Sequence, residues 1–163
     1  MYESVNKRLH KAAASSSRAS EIKALLAQGA QIDYMDENGM TAVMLACQYN
    51  THTAVLKALI QAGADIRQKE PNYKSDCLLL AANKSSNPRI IEVLLENGAD
   101  LENRNYLGET ALIMAVKTNP ACAIAKALIK AGSCIDAKDY QGHDALYFAI
   151  EERRPSLIKA LRT

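Results

Sequence analysis

Two kinds of apolar window alternate along the chain. IKALLAQ, LKALIQA, IEVLLEN and AKALIKA set apolar side chains three and four residues apart with polar ones between, the stripe of an amphipathic helix. TAVMLAC from Thr41, DCLLLAA from Asp76, TALIMAV from Thr110 and DALYFAI from Asp144 each open on a Thr or Asp suited to cap a helix and continue with a strongly apolar turn. Every window of the first kind runs into a glycine, Gly29, Gly63, Gly98 or Gly132, where a helix ends and a positive φ costs least.

Those glycines are 34, 35 and 34 residues apart. A recurring period of this length is the signature of stacked repeats. DENG before Met40, NYLG before Glu109 and DYQG before His143 supply a turn closed by glycine. The unit is therefore turn, helix, short loop, helix, and the chain reads as an all-α solenoid. We place one domain over residues 1–163, with repeats at about 4–35, 36–69, 70–104, 105–138 and 139–163. A single unit cannot bury both of its helices, so neighbouring units stack. Leu25, Leu59, Leu94, Leu128 and Leu161 form the expected core row, flanked by the small residues Ala24, Ala58, Val93, Ala127 and Ala160.

The units are not uniform. The third hairpin, IRQKEPNYKSD, is one residue longer, carries Lys74 where the others have glycine, and contains Pro71, which has no backbone donor. The first helix of the chain, VNKRLHKAAA, puts Asn6, Lys7 and Lys11 at positions apolar elsewhere, as a solvent-facing terminal repeat requires. Pro155 and Arg162 suggest a cap at the other end.

This architecture resembles the ankyrin repeat, whose pattern is D-x-x-G-x-T-P-L-H-x-A-A followed by an amphipathic helix ending L-L-x-x-G-A-D. Residues 36–65, with DENGMTAVMLAC and VLKALIQAGAD, are the nearest copy, and the resemblance covers about 5–163. Departures are clear. TAVM, DCLL, TALI and DALY lack both the proline and the histidine of T-P-L-H, which implies loss of the histidine's usual bond between hairpins. The loop between the two helices carries one residue more than the commonest ankyrin spacing.

The resemblance implies a partner-binding protein that uses its hairpin tips and the exposed face of the first helices. Carried over by position, the contact residues are Glu37, Asn38 and Met40 in the second repeat, Asn72 and Tyr73 in the third, Tyr106, Leu107 and Glu109 in the fourth, and Tyr140, Gln141 and His143 in the fifth. Tyr73, Tyr106 and Tyr140 stand out in a chain with 5% aromatic residues, because tyrosine joins a large contact area to a polar end. Lys69, Arg104 and Lys138 share one repeat position before the turns, as a basic ridge would. Gln48 and Tyr49, Asn83 and Lys84, Lys117 and Thr118, and Glu151 and Glu152 match at the ends of the first helices.

Charge and chemistry narrow the function further. Twenty basic residues against 18 acids leave a net charge of +2, too small an excess to hold a nucleic-acid backbone by counterion release. Protein or peptide is the expected partner, with no nucleic acid and no membrane, since the longest apolar runs are about six residues. Cys47, Cys77, Cys122 and Cys134 show no C-x-x-C pair and suit free thiols in a cytoplasmic setting. Cys47, Cys77 and Cys134 take positions expected to be buried and small. Neither the cysteines nor His10, His52 and His143 have metal-ligand spacing, and phosphate loops, nucleophile elbows and zinc-protease motifs are lacking. We expect a non-enzymatic monomer without cofactor or metal; the alternative is an assembly protein that self-associates by solenoid stacking.

Overall fold

In a computed structural model that describes residues 3–162, the chain forms ten α-helices, with no strand among the described residues. The inner helices are α1 (Val5–Ser15), α3 (Ala42–Tyr49), α5 (Cys77–Lys84), α7 (Ala111–Thr118) and α9 (Ala145–Glu151). The outer ones are α2 (Ala19–Ala27), α4 (Thr53–Gln61), α6 (Arg89–Glu96), α8 (Cys122–Lys130) and α10 (Pro155–Ala160). Each inner helix packs on the inner helices of the adjacent repeats, and the outer helices form a second layer behind them. The all-α solenoid expected from the period is the observed architecture.

The capping chemistry sets the helix boundaries. Asp76, Thr110 and Asp144 accept the backbone N–H of Leu79, Ile113 and Tyr147 at 3.0, 3.4 and 2.8 Å. Thr41 does not; its hydroxyl is buried without a partner among the described residues. Helix α1 starts a turn earlier, from Ser4, whose hydroxyl accepts the Lys7 N–H. At the outer helix ends the four glycines take φ of 82 to 94°. The following N–H reaches back to the core leucine, as in Ala30 to Leu25 and Ala99 to Leu94 at 3.1 and 3.0 Å.

The leucine row is buried in every repeat: Leu25 3%, Leu59 0%, Leu94 0%, Leu128 0% and Leu161 5% exposed. Its small neighbours follow less strictly, since Ala24 in the first repeat is exposed and Ala127 and Ala160 are half-buried. Between repeats, the Asn50 side-chain amide donates to the carbonyls of Ala13 and Ser16, both at 2.8 Å, and Asn119 does the same to Ala82 and Ser85 at 2.9 Å. These buried amides tie the second interhelix loop to the first and the fourth to the third.

Candidate functional site

One side chain organises each hairpin. Asp36 Oδ1 accepts the N–H groups of Asn38 and Met40, Asn105 Oδ1 those of Leu107 and Glu109, and Asp139 Oδ1 those of Gln141 and His143, all at 2.9 Å. Asp and Asn open these turns because their short acceptor reaches the backbone two residues on. The third hairpin has one residue more, and the residue in this place has one methylene more. Glu70, 4% exposed, accepts the N–H of Asn72, Tyr73 and Ser75 at 2.7, 2.8 and 3.0 Å. Lys74 adopts the left-handed conformation, φ 57°, that glycine supplies in the other turns.

The hairpins interlock into a rigid wall. Tyr106 N–H donates to the Tyr73 carbonyl at 2.9 Å, and Tyr140 N–H to the Leu107 carbonyl at 3.0 Å. Lys69 Nζ bonds the Arg104 carbonyl at 3.0 Å and Arg104 Nη1 the Lys138 carbonyl at 2.5 Å. The cations expected to form a free basic ridge are thus a ladder in which Lys69 and Arg104 staple one hairpin to the next. The lost histidine bond is also restored at one place. His10, the T-P-L-H equivalent in the first repeat, has Nε2 3.1 Å from the Tyr34 carbonyl in the following loop.

Between the hairpins and the inner helices of repeats 2 to 4 runs a groove of about 490 Å³. Leu45, Leu80 and Met114, one from each of α3, α5 and α7, lie along it. Asn38, Met40, Asn72, Tyr73, Leu107 and Glu109 line it from the hairpin side, and Gln48, Tyr49, Asn83, Lys117 and Thr118 from the helix ends. Tyr106, Tyr140 and Gln141 instead border a smaller cleft of about 280 Å³ that shares Leu107, Glu109 and Lys117 with the groove. Glu37 lies outside both, at the edge of a cleft near Lys7 and His10. His143 is turned onto the Tyr147 ring, stacked at 4.0 Å and 10°.

Exposure separates these residues. Tyr49, Tyr73, Tyr106 and Tyr140 are 54, 55, 50 and 75% exposed. Packing and exposure coexist at these tips: the Tyr73 and Tyr106 rings meet at 5.5 Å. Glu109 is only 4% exposed, and its carboxylate is taken by Lys117 Nζ at 2.6 Å and Asn105 Nδ2 at 2.7 Å. The ammonium of Lys117 also lies 4.9 Å over the Phe148 ring. Leu45, Leu80 and Met114 lie at helical apolar positions, which periodicity assigns to the core; Leu80 and Met114 are indeed only 6% exposed, although both also line the groove. Their shared repeat position, one residue past the His of T-P-L-H, was the signal available for that second role.

The shifted titratable groups sit away from the groove. Burial lowers the His10 imidazole and raises the Asp76 carboxyl, the latter opposed by bonds from Leu79 N–H and the Asn103 amide. The Cys77 thiol is pushed well up by its hydrogen bond with the Cys47 thiol and by burial, the reverse of what a nucleophilic thiolate needs. Cys47 and Cys77 are buried as expected, whereas Cys134 is exposed. It directly follows the C″ residue of α8, in the loop, where no helix covers it. Among the described residues no group of His, Cys, Asp and Glu is placed to hold a metal ion, and no helix is long and apolar enough to cross a membrane.

The family model for ankyrin repeats (3 copies) matches residues 9–105 and 78–163. The chain belongs to the ankyrin repeat family. Ankyrin repeat proteins similar to it include R664 of Acanthamoeba polyphaga mimivirus, 31% identical over 53% of this chain and 56% of the viral protein. The human B-cell lymphoma 3 protein is 31% identical over 61% of the chain and 22% of its own length. Human ankyrin repeat and SOCS box protein 11 is 34% identical over 56% of the chain and 27% of its own length. The chain therefore spans about half of the viral relative and about a quarter of the two human ones. The ankyrin repeats make this a protein–protein interaction module.

Proposed function

We propose that this ankyrin repeat protein captures an extended segment of a partner protein in the groove of repeats 2 to 4, with the tyrosine tips as a second contact, and so acts as a regulator, inhibitor or adaptor. The groove carries this reading: it joins a floor of half-buried Leu45 and buried Leu80 and Met114 to a rim of exposed Tyr49, Tyr73 and Asn72. Pockets of a few hundred Å³ with apolar linings and a few polar groups are the usual shape of a binding site. A preorganised hairpin wall also lowers the ordering cost of association.

Display of random 12-residue peptides on the wild type, with counter-selection on a Gln48→Arg/Asn83→Arg variant that fills the groove, tests it. Enriched peptides should bind the wild type and not the filled variant. Equal binding to both would remove the groove from the function.

End-to-end self-stacking is favoured by one observation. Tyr147 and Ile150 are 41 and 49% exposed at positions whose equivalents, such as Ile113 and Val116, are buried beneath the next repeat. The opposite end presents exposed Arg8 and Lys11 in place of Ala42 and Leu45, so a head-to-tail stack has no apolar counterpart. We expect a monomer in sedimentation velocity at rising concentration; a growing dimer boundary would favour stacking.

A further inference from the structure

The two ends of the solenoid reveal which side of an inner helix meets which neighbour. Tyr147 and Ile150 are exposed on α9, where no following repeat lies against them among the described residues. At the same positions in repeats 2 to 4, Met44 and Cys47, Leu79 and Ala82, and Ile113 and Val116 are all buried. These two positions therefore face the following repeat. At the other end the relation inverts: Arg8 is exposed on α1, whereas Ala42, Cys77, Ala111 and Ala145 at its position are buried. That position faces the preceding repeat. The contact between the Cys47 and Cys77 thiols joins one position of each kind across the α3–α5 junction, and so fixes the pairing independently.

Every internal junction thus has the same design. One helix offers its pair of residues three apart. The next meets it with Ala or Cys at its first position and Ala four residues on, as Ala111 and Ala115 do on α7 and Ala145 and Ala149 on α9. Residues three or four apart share one face of a helix, and small residues opposite larger ones let two helices close up without overpacking.

Helix α9 presents the first half of that junction with the largest pair in the chain. Leu146 is half-buried beside Tyr147, and in the outer layer Ile158 is half-buried where Ala125, Ile91 and Leu56 are buried. The open face therefore spans both helices of the repeat. Terminal repeats ordinarily turn a polar side to water, and a contiguous apolar face left exposed marks a contact with another molecule. The protein does not itself supply the matching half. Its own small face carries Arg8, and two copies meeting through α9 would set Tyr147 and Ile150 against equally large residues instead of the small ones that internal junctions use.

We infer that the open face of α9 and α10, separate from the groove, docks a helix of a partner protein that carries small residues, alanine above all, at two positions four apart, seated over Tyr147 and Ile150 as Ala145 and Ala149 are seated against α7. The inference does not depend on the groove.

A phage-displayed library of stable three-helix bundles, randomised at six positions on one exposed helix face, tests it, with selection on the wild type and counter-selection on Ile150→Glu. Enriched bundles should carry Gly, Ala or Ser at two positions four apart. One such bundle should bind the wild type roughly tenfold or more tighter than it binds Ile150→Glu, Ile150→Lys or Tyr147→Arg, each of which buries an unpaired charge in the contact. Leucine at its two small positions should weaken it about tenfold through overpacking. Ile150 is exposed, so the circular-dichroism melts of its variants should match the wild type, and the groove-filled variant Gln48→Arg/Asn83→Arg should bind the bundle as the wild type does. No enrichment, or enrichment of large residues at the two positions, overturns the inference. Loss of binding on Ile150→Glu but not on Ile150→Lys overturns it too, since the contact would then be one of charge. A concentration-dependent dimer of the protein alone that Ile150→Glu dissolves gives the face to a second copy and does the same.

Discussion

The ring of Tyr140 lies over the backbone of Gly108, the turn glycine of the preceding hairpin, so closely that a Cβ there would come within 2.6 Å of Cδ1. Pro71 covers Gly39 in the same way, at 2.5 Å. Each of these turns is thus locked by its neighbour as well as by its own carboxylate or amide. Gly108→Ala meets both the ring and a φ of 78°, and should destabilise the protein by about 1–3 kcal/mol. In a chemical-denaturation cycle with Tyr140→Ala, the double variant should be more stable than the sum of the two losses, because removing the ring leaves only the backbone strain. Strict additivity would mean that the two side chains do not meet in solution.

Glu70 tests whether loop length and acceptor length are matched. Glu70→Asp keeps the charge and the buried position but withdraws the acceptor from a turn that needs it at Asn72, Tyr73 and Ser75. A cost of about 1–3 kcal/mol in urea is expected, with amide exchange fastest at Tyr73 and Ser75.

His10 should make stability depend on pH. Its imidazole pKa lies below the ordinary 6.5, chiefly through burial, with Asp36 and the Tyr34 carbonyl acting in the opposite sense. A depressed pKa means that the unfolded chain takes up the proton first, so the contribution of neutral His10 is full above pH 6.5 and is lost as pH falls through the folded-state value. His10→Met, the residue of the second repeat at this position, loses the Tyr34 bond and should cost about 1 kcal/mol at pH 7.5. The gap between the two thermal midpoints should close as pH is lowered from 7.5 to 5; a widening gap would reverse the sign.

Leu94 is fully buried at the centre of the leucine row. Leu94→Ala should cost about 2–5 kcal/mol, since the cavity adds to the lost transfer energy. An unchanged melt would place Leu94 outside the stacking interface.

Much of this was legible before the fold was known, and for identifiable reasons. The leucine row, the capping glycines and the caps Asp76, Thr110 and Asp144 depend on helical geometry and on residues within a few positions, so the 34-residue period locates them. Thr41 shows the limit: the same residue type at the same position makes no cap bond, because only the local side-chain geometry decides it. The candidate contacts divide likewise. Tyr73, Tyr106 and Tyr140 were found through their exposed turn positions, and all three are exposed. Glu109 was chosen by the same rule, yet it is buried by Lys117, which lies eight residues away and reaches it only once α7 is set against its hairpin.

The amino-acid sequence alone determined the repeat, the helix pairs, the odd third hairpin and the polar first helix, because each is written in periodicity and near-neighbour chemistry. The tertiary structure decided which side chains remain available. Stacking consumed Lys69 and Arg104 in carbonyl contacts between hairpins, placed Tyr140 on Gly108, and set half-buried Leu45 beside the buried Leu80 and Met114 along one groove. Those outcomes depend on distances between repeats, which a linear pattern does not contain.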